Sequence, residues 1–226
     1  MADRGRTRSA LFGALATAVL LAACGGDDSP AGSADTGSSA GTIVADGPRV
    51  LAGIVRDPAP AVDGNVVPSL TNPGEDVVFR AEPGGFLAVY FGFTNCPDVC
   101  PTTMADWTVA LRRLPDELAG RVHTVMVTVD PERDNEVLTG YVQSFVADAE
   151  AAGTLDDTVL AAAAEQFGAT YSVTTAADGD IEVTHTGFLY LVDDAGKLVV
   201  TWPFGTSSQE MAADVRQLDA AREAAQ

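Results

Sequence analysis

The strongest pattern along the chain is a continuous apolar run from Gly85 to Phe93, GFLAVYFGF. Such a run predicts a central strand buried on both faces. Val122 to Val129 alternates apolar and polar positions and predicts a second buried strand. Between them, Met104, Trp107, Leu111 and Leu114 recur at helical spacing, and Pro115 stops that helix. Val137, Tyr141 and Phe145 mark a second helix, with Asp134 as its expected cap. Asp157 caps a third, which carries Leu160, Ala164 and Phe167 and ends at Gly168. Phe188 to Val192 and Leu198 to Trp202 flank the turn Asp193-Asp194-Ala195-Gly196 and predict a hairpin. A last helix opens at Ser207 with Glu210 three residues on, a capping box, and buries Met211, Val215 and Leu218. Residues 51–56 and 77–81 read as a short N-terminal strand pair, and 149–154 as a weaker strand. The alternation of strands and helices predicts an α/β fold: a central mixed β-sheet with helices on both faces. It fills residues 49–226.

The first 48 residues follow other rules. Arg4, Arg6 and Arg8 precede an apolar stretch of fourteen residues, Ala10 to Ala23. That is too short to span a bilayer and matches the apolar part of a signal peptide. It ends Leu21-Ala22-Ala23-Cys24-Gly25. Small residues directly before a lone cysteine predict a lipoprotein signal peptide over 1–23, with Cys24 acylated. Residues 24–48 are rich in Gly, Ser, Ala and Asp, cannot bury a core, and predict a flexible tether. The expected address is the extracytoplasmic face of a bacterial cell membrane.

Charge narrows the partners. The whole chain carries −19, with Lys197 its one lysine. Removing the leader leaves ten cationic and 31 acidic side chains, near −21. Nucleic-acid binding is excluded, because phosphate contacts need clustered Lys and Arg.

Three cysteines are present. With Cys24 assigned to lipid, Cys96 and Cys100 remain, four residues apart at the carboxyl end of the central strand. That end of a strand is where α/β sheets place their sites. A disulfide closing so short a ring would add little stability, so the pair reads as functional: a redox disulfide or a thiolate site. A helix opening at Cys100 would favour thiolate through its positive end. Two soft thiolates suit Cu(I), and an imidazole suits either copper state. Of the two histidines, His123 falls inside a strand pattern and reads as structural or surface. His185, on an expected loop just before the Phe188 strand, is better placed to reach the cysteines. A structural zinc site would need four ligands. Met104, Met126 and Trp107 fall on core-facing positions and read as packing.

GFLAVYFGFTNCPDVCPTTM, VTVDPERD at 127–134 and THTGFLYLVDDAGKLV at 184–199 resemble the Sco/SenC family of cytochrome oxidase copper-assembly proteins. The resemblance covers roughly residues 49–222. It implies a thioredoxin-like fold, and a copper ion held by Cys96, Cys100 and His185. It also implies copper delivery to, or preparation of, the binuclear copper site of cytochrome c oxidase subunit II, supplied by an upstream copper donor. Two positions depart from the common pattern: Asn95 stands where members often have histidine, and Thr184 where they often have aspartate. The competing reading is an extracytoplasmic thiol–disulfide oxidoreductase that cycles Cys96 and Cys100. A monomer is expected under either reading.

Overall fold

The computed structural model describes residues 50–225. The leader, the acylated Cys24 and the tether expected over 1–48 lie outside the described residues. In chain order the elements are β1 (Val66–Pro68), β2 (Asp76–Val78), β3 (Phe86–Gly92), α1 (Val99–Leu111), α2 (Asp116–Ala119), β4 (Val122–Thr128), α3 (Pro131–Asp134), α4 (Leu138–Gln143), β5 (Glu150–Ala152), α5 (Asp157–Phe167), β6 (Tyr171–Thr175), β7 (Ile181–His185), β8 (Leu189–Asp193), β9 (Leu198–Trp202) and α6 (Ser208–Glu223).

Every residue of β3 is buried, as its unbroken apolar sequence requires. It lies at the centre of a five-stranded sheet ordered β5-β4-β3-β8-β9. β4 pairs with β3 in parallel, and β5 with β4 in parallel. β8 runs antiparallel to β3, and β9 antiparallel to β8. Side chains alternate across β3 and divide the core in two. Phe91 points to the side where Phe79, Phe167 of α5 and Tyr190 pack, with centroids 5.1–6.4 Å apart and every pair but the tilted Phe79–Phe91 edge to face. The opposite side receives α1, whose buried Trp107 donates to Thr124 at 2.9 Å and packs on Trp202. Met104 and Met126 are buried, as read from the pattern, and His123 is exposed on β4. The expected mixed sheet with helices on both faces is the fold observed.

Four local expectations change. The N-terminal strand pair exists, but it joins β1 to β2. Residues 51–56 form no strand; Ile54 alone bridges Thr201 on the outer edge of β9. A hairpin absent from the sequence reading, β6–β7, forms a separate two-stranded sheet. Its residues are largely exposed, so burial left no apolar alternation to read. Asp134 does not cap the helix after it: α4 begins four residues later, at Leu138 behind Val137, and Asp134 is buried. Val137, expected to face the core, is 51% exposed.

Candidate metal centre

Cys96, Cys100 and His185 come together at the carboxyl end of β3. Their ligand atoms all lie within 4.8 Å of one another. Among the described residues this is the one cluster of three or more His, Cys, Asp or Glu side chains close enough to hold a metal ion.

Each side chain arrives from a different element. Cys96 sits in the loop that leaves β3, held in a turn by its own N–H on the Phe93 carbonyl at 3.4 Å. Cys100 is the second residue of α1. Its backbone N–H donates to Cys96 Sγ at 3.2 Å, so the loop sulfur occupies one of the unpaired donors of the helix start. Pro101 stands in the same first turn, where its missing N–H costs nothing. His185 ends β7, a strand where a loop was expected. Its Nε2 lies 3.4 Å from Cys100 Sγ.

The imidazole is oriented for ligation. Its Nδ1 lies 3.2 Å from the Thr186 carbonyl. A carbonyl only accepts, so Nδ1 carries the proton and Nε2 presents its lone pair to the sulfurs. Tyr90 and Phe93 meet the ring edge-on, at 6.0 and 5.6 Å between centroids, and fix its plane. Burial pushes the His185 pKa below its ordinary value, which favours the neutral ring that can bind metal.

Cys100 behaves differently from the helix-end argument. Burial pushes the Cys100 thiol up to about 12, with a further rise from its hydrogen bond to Cys96. Desolvation of the charged form outweighs the helix terminus here. In the metal-free protein Cys100 is therefore a thiol, and a bound cation must supply the charge that displaces its proton.

The mouth of the site is a cleft of about 400 Å³ lined by Phe93, Pro97, Val99, Val183 and Phe204 beside Cys96 and His185. Thr184 lines the same cleft, and Asn95 is exposed beside it, so neither departure from the common pattern removes a ligand. The donor set fits copper: two sulfurs favour Cu(I), and one imidazole serves either oxidation state.

Sequence reasoning missed the polar anchor behind the cysteine loop. Asp134 accepts from the Thr94 N–H at 2.9 Å, from Thr94 Oγ1 at 2.5 Å and from Thr128 Oγ1 at 2.7 Å. Its signal was the string Asp130-Pro131-Glu132-Arg133-Asp134, which reads from sequence either as a strand exit with a helix cap or as a loop near the metal that contacts a partner.

A thioredoxin-like domain with a Cys-Cys-His metal centre at the carboxyl end of its central strand is the class that fold and site define. The SCO1/SenC family model matches residues 69–219, and the chain belongs to that family. Copper-bound ScoI of Bradyrhizobium japonicum is similar in structure, with a TM-score of 0.58 and 28% identity over 70% of this chain and 99% of that one. Apo Sco1 of Thermus thermophilus gives 0.59 and 28% over 78% and 98%. In sequence, a SCO2-like protein of Rickettsia typhi is 29% identical over 131 residues, 57% of this chain. The match spans 64% of that relative, and 58% of the Schizosaccharomyces pombe protein sco1, which is 25% identical over 154 residues. The chain thus matches somewhat over half the length of these relatives.

Proposed function

We propose that this protein binds one copper ion through Cys96, Cys100 and His185 and passes it to the binuclear copper site of cytochrome c oxidase subunit II or a similar copper enzyme. The observation that carries the reading is the convergence of the three ligand atoms within 4.8 Å. Three ligands leave the metal open, so an incoming thiolate can exchange onto it without first dismantling the site. The cleft beside Cys96 and His185 gives such a thiolate a path. Processing at Cys24 and acylation would tether the domain to the outer face of the cell membrane, as a monomer loaded by an upstream copper donor. Among the described residues no helix is long and apolar enough to cross a membrane.

The test is copper binding by the reduced protein beside His185→Ala. Wild type is expected to take up about one copper and, as Cu(II), to show thiolate-to-copper charge transfer. Affinity in His185→Ala is expected to fall more than about a hundredfold, since residues that merely orient a ligand are already worth about 10–100-fold. Unchanged affinity in that variant would sink the assigned ligand set.

A second reading has its own observation. Cys96 and Cys100 are both free thiols with the Cys100 N–H on Cys96 Sγ, the adjacency a dithiol–disulfide couple needs. Reduction of a cysteine-containing peptide from an oxidase copper site, fast and indifferent to both copper and His185, would favour this oxidoreductase activity over delivery.

A further inference from the structure

We infer that Asp134 is a positioning residue: a buried carboxylate that sets where Cys96 stands relative to Cys100, by anchoring the cysteine loop to the end of β4. The two cysteines are held differently. Cys100 is fixed by α1, which packs along its length against the sheet through Met104, Trp107 and Ala110. Cys96 has no such support. It lies between the end of β3 and the start of α1, so its position depends on how the loop is fastened.

Thr94 is the fastening, two residues before Cys96. Both its backbone N–H and its hydroxyl donate to Asp134, one to each carboxylate oxygen. The second anchor point is Thr128, the last residue of β4, whose hydroxyl donates to the same carboxylate. Thr128 Oγ1 in turn accepts from the Asp130 N–H at 2.9 Å, closing the turn that delivers Asp134. The neighbouring backbone continues the pairing of the two strands, with the Val129 N–H on the Gly92 carbonyl at 2.9 Å. Asp134 is 0% exposed, and Thr128 likewise. A carboxylate so placed must have its lone pairs filled. Here three donors fill them, and two belong to the residue that leads into Cys96.

The chemistry follows from the loop's freedom. Oxidation of the pair joins Cys96 and Cys100 in one disulfide, and ligation brings both sulfurs to one ion. Each demands a particular Cys96 placement, so releasing Thr94 changes the free energy of both relative to the dithiol. This inference rests on the reading that Cys96 and Cys100 act together, but its first test involves no metal.

The experiment is a redox titration of the full chain, metal-free, against glutathione. The two cysteine thiols are oxidised to a disulfide as one glutathione disulfide is reduced to two glutathione thiols. The proteins are wild type, Asp134→Asn, Thr94→Val and Thr94→Ser, with thermal melts in the same buffer. Asp134→Asn and Thr94→Val are expected to shift the equilibrium constant by about fivefold or more, the scale of a lost buried hydrogen bond to a charged group. Thr94→Ser keeps both donors and is expected to stay within about twofold of wild type. The same ordering is expected in the position of the thiolate-to-Cu(II) band. Should Asp134→Asn fail to fold, the Thr94 pair carries the comparison alone. A folded Thr94→Val with wild-type equilibrium constant overturns the inference, and so does a Thr94→Ser displaced as far as Thr94→Val. Failure of the copper reading would appear differently, as normal ordering in the glutathione titration with no copper band in any variant.

Discussion

Gly92 shows how tightly single atoms are constrained around the sulfurs. It ends β3 on the face that meets α1. A Cβ there would lie 2.6 Å from the Tyr90 ring, 3.0 Å from Met126 Cε and 3.1 Å from Cys100 Sγ. All three neighbours are themselves fully buried, so none can swing into solvent. Gly92→Ala is expected to cost about 1–3 kcal/mol through overpacking. Because one of the displaced atoms is a sulfur of the proposed copper site, the variant should also shift the copper charge-transfer band; urea unfolding and the visible spectrum check the two effects separately. At this scale the sequence was uneven. Cys96 and Cys100 were legible from spacing and position. His185 was legible as a candidate, but the Thr186 carbonyl that sets its tautomer is a backbone group and leaves no mark in the sequence. Asp134 was visible as a residue and wrong as a role. An aspartate before a helix reads equally as a cap, and only the fold brings Thr94, forty residues away, to its carboxylate.

At the scale of elements, the helix that carries Cys100 is braced by its neighbour. α6 packs against α1 through Met211, Ala212 and Val215 on its buried face. Its start is the capping box read from the sequence: the Glu210 N–H donates to Ser207 Oγ, and the Ser207 N–H donates to Glu210. Ser207→Ala removes the first of these and is expected to cost about 1 kcal/mol. The urea midpoint should fall accordingly, with copper affinity unchanged, because neither Ser207 nor Glu210 lines the cleft beside Cys96 and His185. Elements that bury an apolar face were legible for that reason: β3, β4, α1, α5, the β8–β9 hairpin and α6. The β6–β7 hairpin was not, because its strands YSVTT and IEVTH expose most of their side chains. Its β-branched content was the remaining signal. The miss had a consequence, since β7 is the element that presents His185.

At the scale of the whole molecule, the question is where the folded unit begins. Composition places the start near Arg49, and within the described residues the contacts of residues 52–54 show how the first part of the domain is held. Asp214 of α6 is 0% exposed and accepts from Ala52 N–H at 3.1 Å, Gly53 N–H at 2.9 Å and Trp202 Nε1 at 2.9 Å. Gly53 lies so close over Trp202 that a Cβ would stand 2.7 Å from the indole. One step further on, Ile54 exchanges both backbone hydrogen bonds with Thr201 on β9. Residues 52–54 therefore belong to the domain, although they form no strand. A chain beginning at Arg49 is expected to match the full chain in urea midpoint and in copper uptake. A chain beginning at Pro58 loses two of the donors to Asp214 and the cover over Trp202. Hydrogen bonds to a charged acceptor contribute about 1.5–3 kcal/mol each, so a loss of about 3 kcal/mol or more is expected. None of the lost contacts touches Cys96, Cys100 or His185, so the shortened chain should still bind copper wherever it remains folded. Equal urea midpoints for the two shortened chains would show that the segment merely lies on the surface and that the domain begins later.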